Sequence, residues 1–83
     1  MQKSLYTQEN KILLQLLYET RKMAGLTQVQ LGALLDEDQT FVSKVESGLR
    51  RLDLIELNAW CVAVGLSLPT FIARYERSLG RTA

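Results

Sequence analysis

Four polar residues near the middle of the chain, Gln39, Thr40, Ser43 and Lys44, are spaced so that one helix would turn all of them away from Val42 and Val45. Their types suit hydrogen bonding to base edges. A glutamine amide can pair through both of its atoms with adenine, and a lysine can donate to O6 and N7 of guanine. Phe41 lies among them. An aromatic at that point either meets an apolar group such as a thymine methyl or packs partly beneath the neighbouring turn, and residue type leaves both open. Arg50 and Arg51 follow just beyond. Equally informative is the chemistry that is missing. With no histidine and one thiol, Cys61, zinc lacks a ligand set and the cysteine lacks a base to activate it. No metal, no cofactor and no catalytic residue are expected, and the protein reads as a non-enzyme.

The elements that would carry these residues are helices throughout. Leu13, Leu16, Leu17 and Ala24 recur at three- and four-residue steps within a first helix from Gln8 to Ala24, with Gly25 as its stop. Thr27 can cap a second, Gln28 to Leu35, with Leu31, Leu34 and Leu35 facing inward. Gly32 in its middle costs about 1 kcal/mol relative to alanine, so a close approach by another helix is expected there. Asp38 can cap a third, Gln39 to Ser47, ended by Gly48. A fourth runs from about Asp53 to Val64, with Leu54, Leu57, Cys61 and Val64 inward and Trp60 beside them. Ser67 caps a fifth that carries Pro69 in its first turn and ends near Leu79.

Composition bounds the rest. At 83 residues the chain suits a single domain, residues 1–83 with a core of about 9–79. A domain of this size buries only about 60–65% of its unfolded surface, and the 47% hydrophobic content is what makes a sufficient core feasible. No apolar run reaches the roughly 18–20 residues of a membrane span, and the start, Met1-Gln2-Lys3-Ser4, lacks a secretion signal. One cysteine excludes an internal disulfide and suits a reducing, cytoplasmic setting. The net charge of +1 gives no global support for nucleic-acid binding, so that case rests on local arrangement.

The stretch from Leu26 to Gly48, two short helices joined by a tight turn, resembles the phage-repressor and Cro-like helix-turn-helix family of the xenobiotic-response-element type. Gly25-Leu26-Thr27-Gln28, the small Gly32, and Gln39 through Gly48 carry the likeness, which runs from about Leu17 to Phe71. It implies an all-α, five-helix, lambda-repressor-like domain with the helix-turn-helix at helices two and three. It also implies a bacterial or phage-encoded regulator, cytoplasmic and nucleoid-associated, that binds double-stranded DNA. By resemblance, Gln39, Thr40, Phe41, Ser43 and Lys44 read bases, while Gln28, Arg50 and Arg51 contact phosphate. Arg21 and Glu46 form a partly buried ion pair between helices one and three.

The chain departs from the family pattern at the turn. Asp36 stands where glycine is usual and Glu37 where an apolar residue is usual. Aspartate tolerates a left-handed backbone better than most residues, but a carboxylate at Glu37 should not be buried, so the turn is expected to be shifted or more exposed. Asp36, Glu37 and Asp38 also put three negative charges beside a surface meant for phosphate.

Apolar residues exceed the inward stripes. Ile55, Ala59 and Val62 follow a 0, 4, 7 spacing on a second face of helix four, and Phe71, Ile72 and Tyr75 widen helix five. Leu14 and Tyr18 do the same for helix one, and Leu5 and Tyr6 precede it. The expected use is a homodimer on a palindromic operator, as repressor or co-regulator. The acidic turn and surplus apolar faces leave an alternative, a helix-turn-helix module that binds a protein partner in the manner of an antitoxin or adaptor.

Overall fold

The computed structural model describes residues 7–80; Leu5 and Tyr6 lie outside the described residues. Among the described residues there are five helices and no strand: α1 (Gln8–Met23), α2 (Gln28–Leu34), α3 (Gln39–Glu46), α4 (Leu54–Val64) and α5 (Leu68–Ser78). Every start is set by a side-chain cap that satisfies an otherwise orphan amide. Thr7, Asp38 and Ser67 accept the N–H groups of Asn10, Phe41 and Thr70. Thr27 with Gln30, and Asp53 with Glu56, form complete capping boxes.

The tight turn between α2 and α3, expected to be shifted or more exposed, has a regular backbone, and it is the exposure that holds. Asp36 adopts the left-handed region at φ +59°. Its N–H donates to Ala33 O at 3.2 Å, and the Glu37 N–H donates to Gly32 O at 2.8 Å. Those two bonds close α2 as a Schellman motif. The aspartate thus does the backbone work of a glycine, while the Glu37 side chain stays exposed and needs no buried partner. Gly32 faces the N-cap of α3. A Cβ built there would lie 2.7 Å from both the carbonyl carbon and the oxygen of Asp38. The close approach is therefore helix against backbone, and it sets how tightly α3 tucks under α2.

Trp60 and Phe71 fill the centre of the core with Leu16, Leu17, Leu31, Val42, Val45 and Cys61. α2 packs on α3, α1 packs on α3 and α5, and α4 packs on α5 and α2. The Trp60 indole N–H donates to Thr20 Oγ1 at 3.4 Å, and Thr20 donates to Leu17 O at 2.9 Å, so both buried polar groups are satisfied. Burial pushes the Cys61 thiol above its ordinary pKa, as suits a small core residue.

Four inward or outward assignments change. Leu34 is 59% exposed, because the seven-residue α2 meets the core through Leu31, Gly32 and Leu35. Leu54 is 66% exposed, because the first residue of α4 extends past the core edge. Trp60 is not beside the buried stripe of α4 but at its centre. Phe71 is fully buried within the chain's own core and is withdrawn as a dimer-interface candidate.

Gly32→Ala tests the helix contact. Alanine has the better helix propensity, yet its methyl would strike backbone, so a loss of about 1–3 kcal/mol is expected as a lower urea midpoint. An unchanged or higher midpoint would mean that the start of α3 moves aside freely.

Candidate nucleic-acid interface

α3 is short and amphipathic. Val42 and Val45 anchor it to the core, so Gln39, Thr40, Ser43 and Lys44 are all exposed on its other side. Phe41 flanks that surface and is half-buried, packed against the core cluster near Leu35, Glu56 and Ala59. The ring therefore packs beneath the neighbouring turn, and part of it stays accessible.

One edge of the surface is tied to the core by a chain of hydrogen bonds. Arg21 Nε donates to Glu46 Oε2 at 2.6 Å and its Nη2 donates to Oε1 at 3.1 Å, with only 8% and 9% of the two side chains exposed. The third arm of the guanidinium donates to Leu26 O at 2.9 Å. Gln28 Nε2 also donates to Glu46 Oε1, at 3.1 Å, and Gln39 Nε2 donates to Gln28 Oε1 at 3.2 Å. An ionised carboxylate can only accept, so Gln28 must present its nitrogen to Glu46 and its oxygen to Gln39. Gln39 must then give one amide hydrogen to Gln28. Its carbonyl oxygen and second hydrogen are left uncommitted on an exposed residue, one acceptor and one donor.

The opposite edge is held by charge. Arg50 and Glu56 form a two-armed pair, Nη1 to Oε1 at 3.0 Å and Nη2 to Oε2 at 2.6 Å. Arg50 Nη1 also donates to Arg51 O. The guanidinium carbon sits 5.1 Å from the centroid of the Phe41 ring. The hydrogen bond from Arg50, and after it the Asp53 amide, hold the Glu56 carboxyl below its ordinary pKa. Since the folded value is the lower one, the pair's contribution is present above the ordinary carboxylate range and is lost as pH falls through the depressed value. Arg51 is exposed and joins no ion pair among the described residues.

Spacing did not reveal two of these partners. Glu56 lies six residues from Arg50 across a loop and a helix cap, a separation with no periodic signature, and the Gln28–Gln39 bond spans the helix-turn-helix. The one clue was that α4 begins with an acidic capping box beside two arginines. Elsewhere, Ile55 is 81% exposed, Val62 69% and Ile72 39%, and Ala59 is exposed too. Tyr75 is half-buried and donates its hydroxyl to Glu9 O at 3.2 Å. No cluster of three or more potential metal ligands occurs among the described residues. No single helix among them is long and apolar enough to cross a membrane.

A family model described as helix-turn-helix matches residues 17–71. A solved structure of an XRE-family like protein from Pseudomonas syringae pv. tomato str. DC3000 is similar at a TM-score of 0.78 and 40% identity, covering 84% of this chain and 85% of that one. A search of curated proteins finds no match.

Glu46→Ala would strand the Arg21 charge and release Gln28 together. A loss of about 3–5 kcal/mol is expected for breaking a buried pair from one side, measured by thermal unfolding. An unchanged melting temperature would remove the pair from the list of structural supports.

Proposed function

The chain belongs to the XRE/Cro-like helix-turn-helix family of DNA-binding regulators, and we propose that it acts as a dimeric repressor or co-regulator on a palindromic operator. In this reading α3 enters the major groove and its exposed face reads bases. The observation that carries the proposal is the hydrogen-bond chain from Arg21 through Glu46 and Gln28 to Gln39. It leaves Gln39 presenting an acceptor and a donor in the pairing that adenine N6 and N7 require. Lys44 is the guanine reader, Thr40 and Ser43 supply short hydroxyl contacts, and the accessible part of Phe41 meets a thymine methyl.

Phosphate contacts come from Gln28, which retains a second amide hydrogen, and from the loop after α3 that carries Arg50 and Arg51. Asp36, Glu37 and Asp38 are exposed beside this surface and oppose the backbone electrostatically. One recognition helix is therefore a weak binder, and a two-fold protein on a two-fold site supplies what it lacks by engaging a second half-site. Ile55, Ala59 and Val62 on the outer face of α4 are the proposed dimer contact, with Ile72 and Tyr75 of α5 as the other candidates.

Selection of duplexes from a random pool by the purified protein at moderate salt tests the function. Enrichment of a palindrome is expected, with half-sites about one helical turn apart. Lys44→Ala should relax preference at one base pair by about 1–3 kcal/mol. Failure of the folded protein to enrich any sequence would favour a protein-binding module that uses the same fold. Ile55→Asp, measured by light scattering or sedimentation, should give a monomer; a dimer that survives it would move the interface away from α4.

A further inference from the structure

The two arginines after α3 have the same charge and adjacent positions, but the structure treats them differently. Arg51 is exposed and unpaired among the described residues. Arg50 is tied down while 42% of its side chain stays exposed: both arms meet the Glu56 carboxylate, one of them also reaches Arg51 O, and its guanidinium carbon lies over the Phe41 ring. Asp53 and Glu37 are close enough to favour its charge further. Its charge is already matched by the two-armed Glu56 carboxylate, with Asp53 and Glu37 adding to the balance, so a phosphate that reached the remaining Nε–H and Nη2 hydrogen would meet a largely neutralised cation.

We infer that Arg50 is a positioning residue for the recognition surface, clamping the Phe41 ring between α3 and the start of α4, and that the phosphate contact at this end of α3 is made by Arg51 alone. The clamp has three parts, each needed. Glu56 is fixed by its own bond to the Asp53 amide at 2.9 Å, so it is a stationary anchor for Arg50. Arg50 is planar and forked, so pairing with Glu56 leaves its face free to lie on the ring. Phe41 backs onto the core cluster, so a lid on its other side holds the accessible part of the ring in place. α3 thus presents Thr40, Ser43 and Lys44 between two tethered flanks: Gln39, held by Gln28, and Phe41, held by Arg50. Lysine cannot substitute in this role, since an ammonium has neither the fork nor the plane.

This assignment rests on the base-reading surface proposed above, and the experiment separates the two. Arg50→Lys, Arg50→Gln, Glu56→Gln and Arg51→Ala are compared with the parent, first by the NMR signals of the Phe41 ring in the free protein, then by sequence selection and salt-dependent binding. Glu56→Gln keeps an acceptor for the Asp53 amide, so the α4 cap is retained. The clamp requires all three Arg50 and Glu56 variants to shift the Phe41 ring signals. They should also lower preference at the base pair beneath the ring, on the order of five-fold. Arg50→Gln should leave the slope of log affinity against log salt at the parent value, whereas Arg51→Ala should lower it by about 1 and leave the ring signals in place. Arg50→Lys behaving as the parent, or Arg50→Gln lowering the slope as Arg51→Ala does, overturns the assignment in favour of a simple phosphate contact. If the parent selects no duplex, the base-reading proposal fails, and the free-protein ring signals decide the clamp: unmoved signals overturn it.

Discussion

The buried Arg21–Glu46 pair is the interaction on which the rest of the molecule is arranged. Two opposite charges withdrawn from water attract each other strongly but lose hydration on the same scale, so the pair is worth little as net stability. Its value lies in what it demands. A carboxylate with 9% of its side chain exposed must have its oxygens occupied, and Glu46 is satisfied by Arg21 from α1 and by Gln28 from the first position of α2. The guanidinium in turn spends its remaining arm on Leu26 O in the connection between those helices. Three helices and one loop are thereby placed by a single electrostatic requirement. Any other relative arrangement would leave a charge buried and unpaired, whereas an apolar contact of similar area would tolerate sliding.

That requirement explains why the fold was readable in outline and misread in places. Helix limits were accessible because each depends on a residue and its near neighbours: a capping side chain before the first turn, a left-handed residue after the last. Even Asp36, out of pattern for the family, could be assigned from the tolerance of aspartate for positive φ, and it sits at +59°. Which face points inward depends on distant elements instead. Leu34 and Leu54 have the right period for the core and are solvent-exposed because each lies at the end of a helix, beyond the reach of the packing partner. Phe71 reads as surplus surface from α5 alone and proves to be a central core ring once α5 meets its neighbours.

The site divides along the same line. Thr40, Ser43 and Lys44 were identifiable because a helix that buries Val42 and Val45 must expose its opposite side. What the sequence could not disclose is the difference between residues of like type. Arg50 and Arg51 are chemically identical and adjacent, and only three-dimensional proximity to Glu56 and Phe41 separates them. Gln28 and Gln39 are eleven positions apart, and their pairing depends on how the tight turn closes. Amide orientation is a further step removed, because it propagates from the carboxylate outward and is invisible unless the chain of bonds is known.

The acidic turn now has a defined physical place. The Asp38 carboxylate caps α3 and the Asp36 backbone takes the left-handed turn position, so two of its three residues have structural roles. Glu37 is exposed at the side of the surface, near the Arg50 clamp, where its charge adds to those of Glu56 and Asp53 around one guanidinium. The local balance there is negative in a chain whose net charge is only +1. A surface of this kind gains little from the general attraction of a polyanion, so the proposed reading places its binding on fitted contacts: the amide of Gln39, the ammonium of Lys44 and a ring held in position. Weak general attraction also lowers affinity for non-matching duplex, because that binding is almost wholly electrostatic. The carboxylates weaken matched and unmatched binding alike, so in the proposed reading discrimination comes from the fitted contacts and the missing affinity from a second subunit on a second half-site.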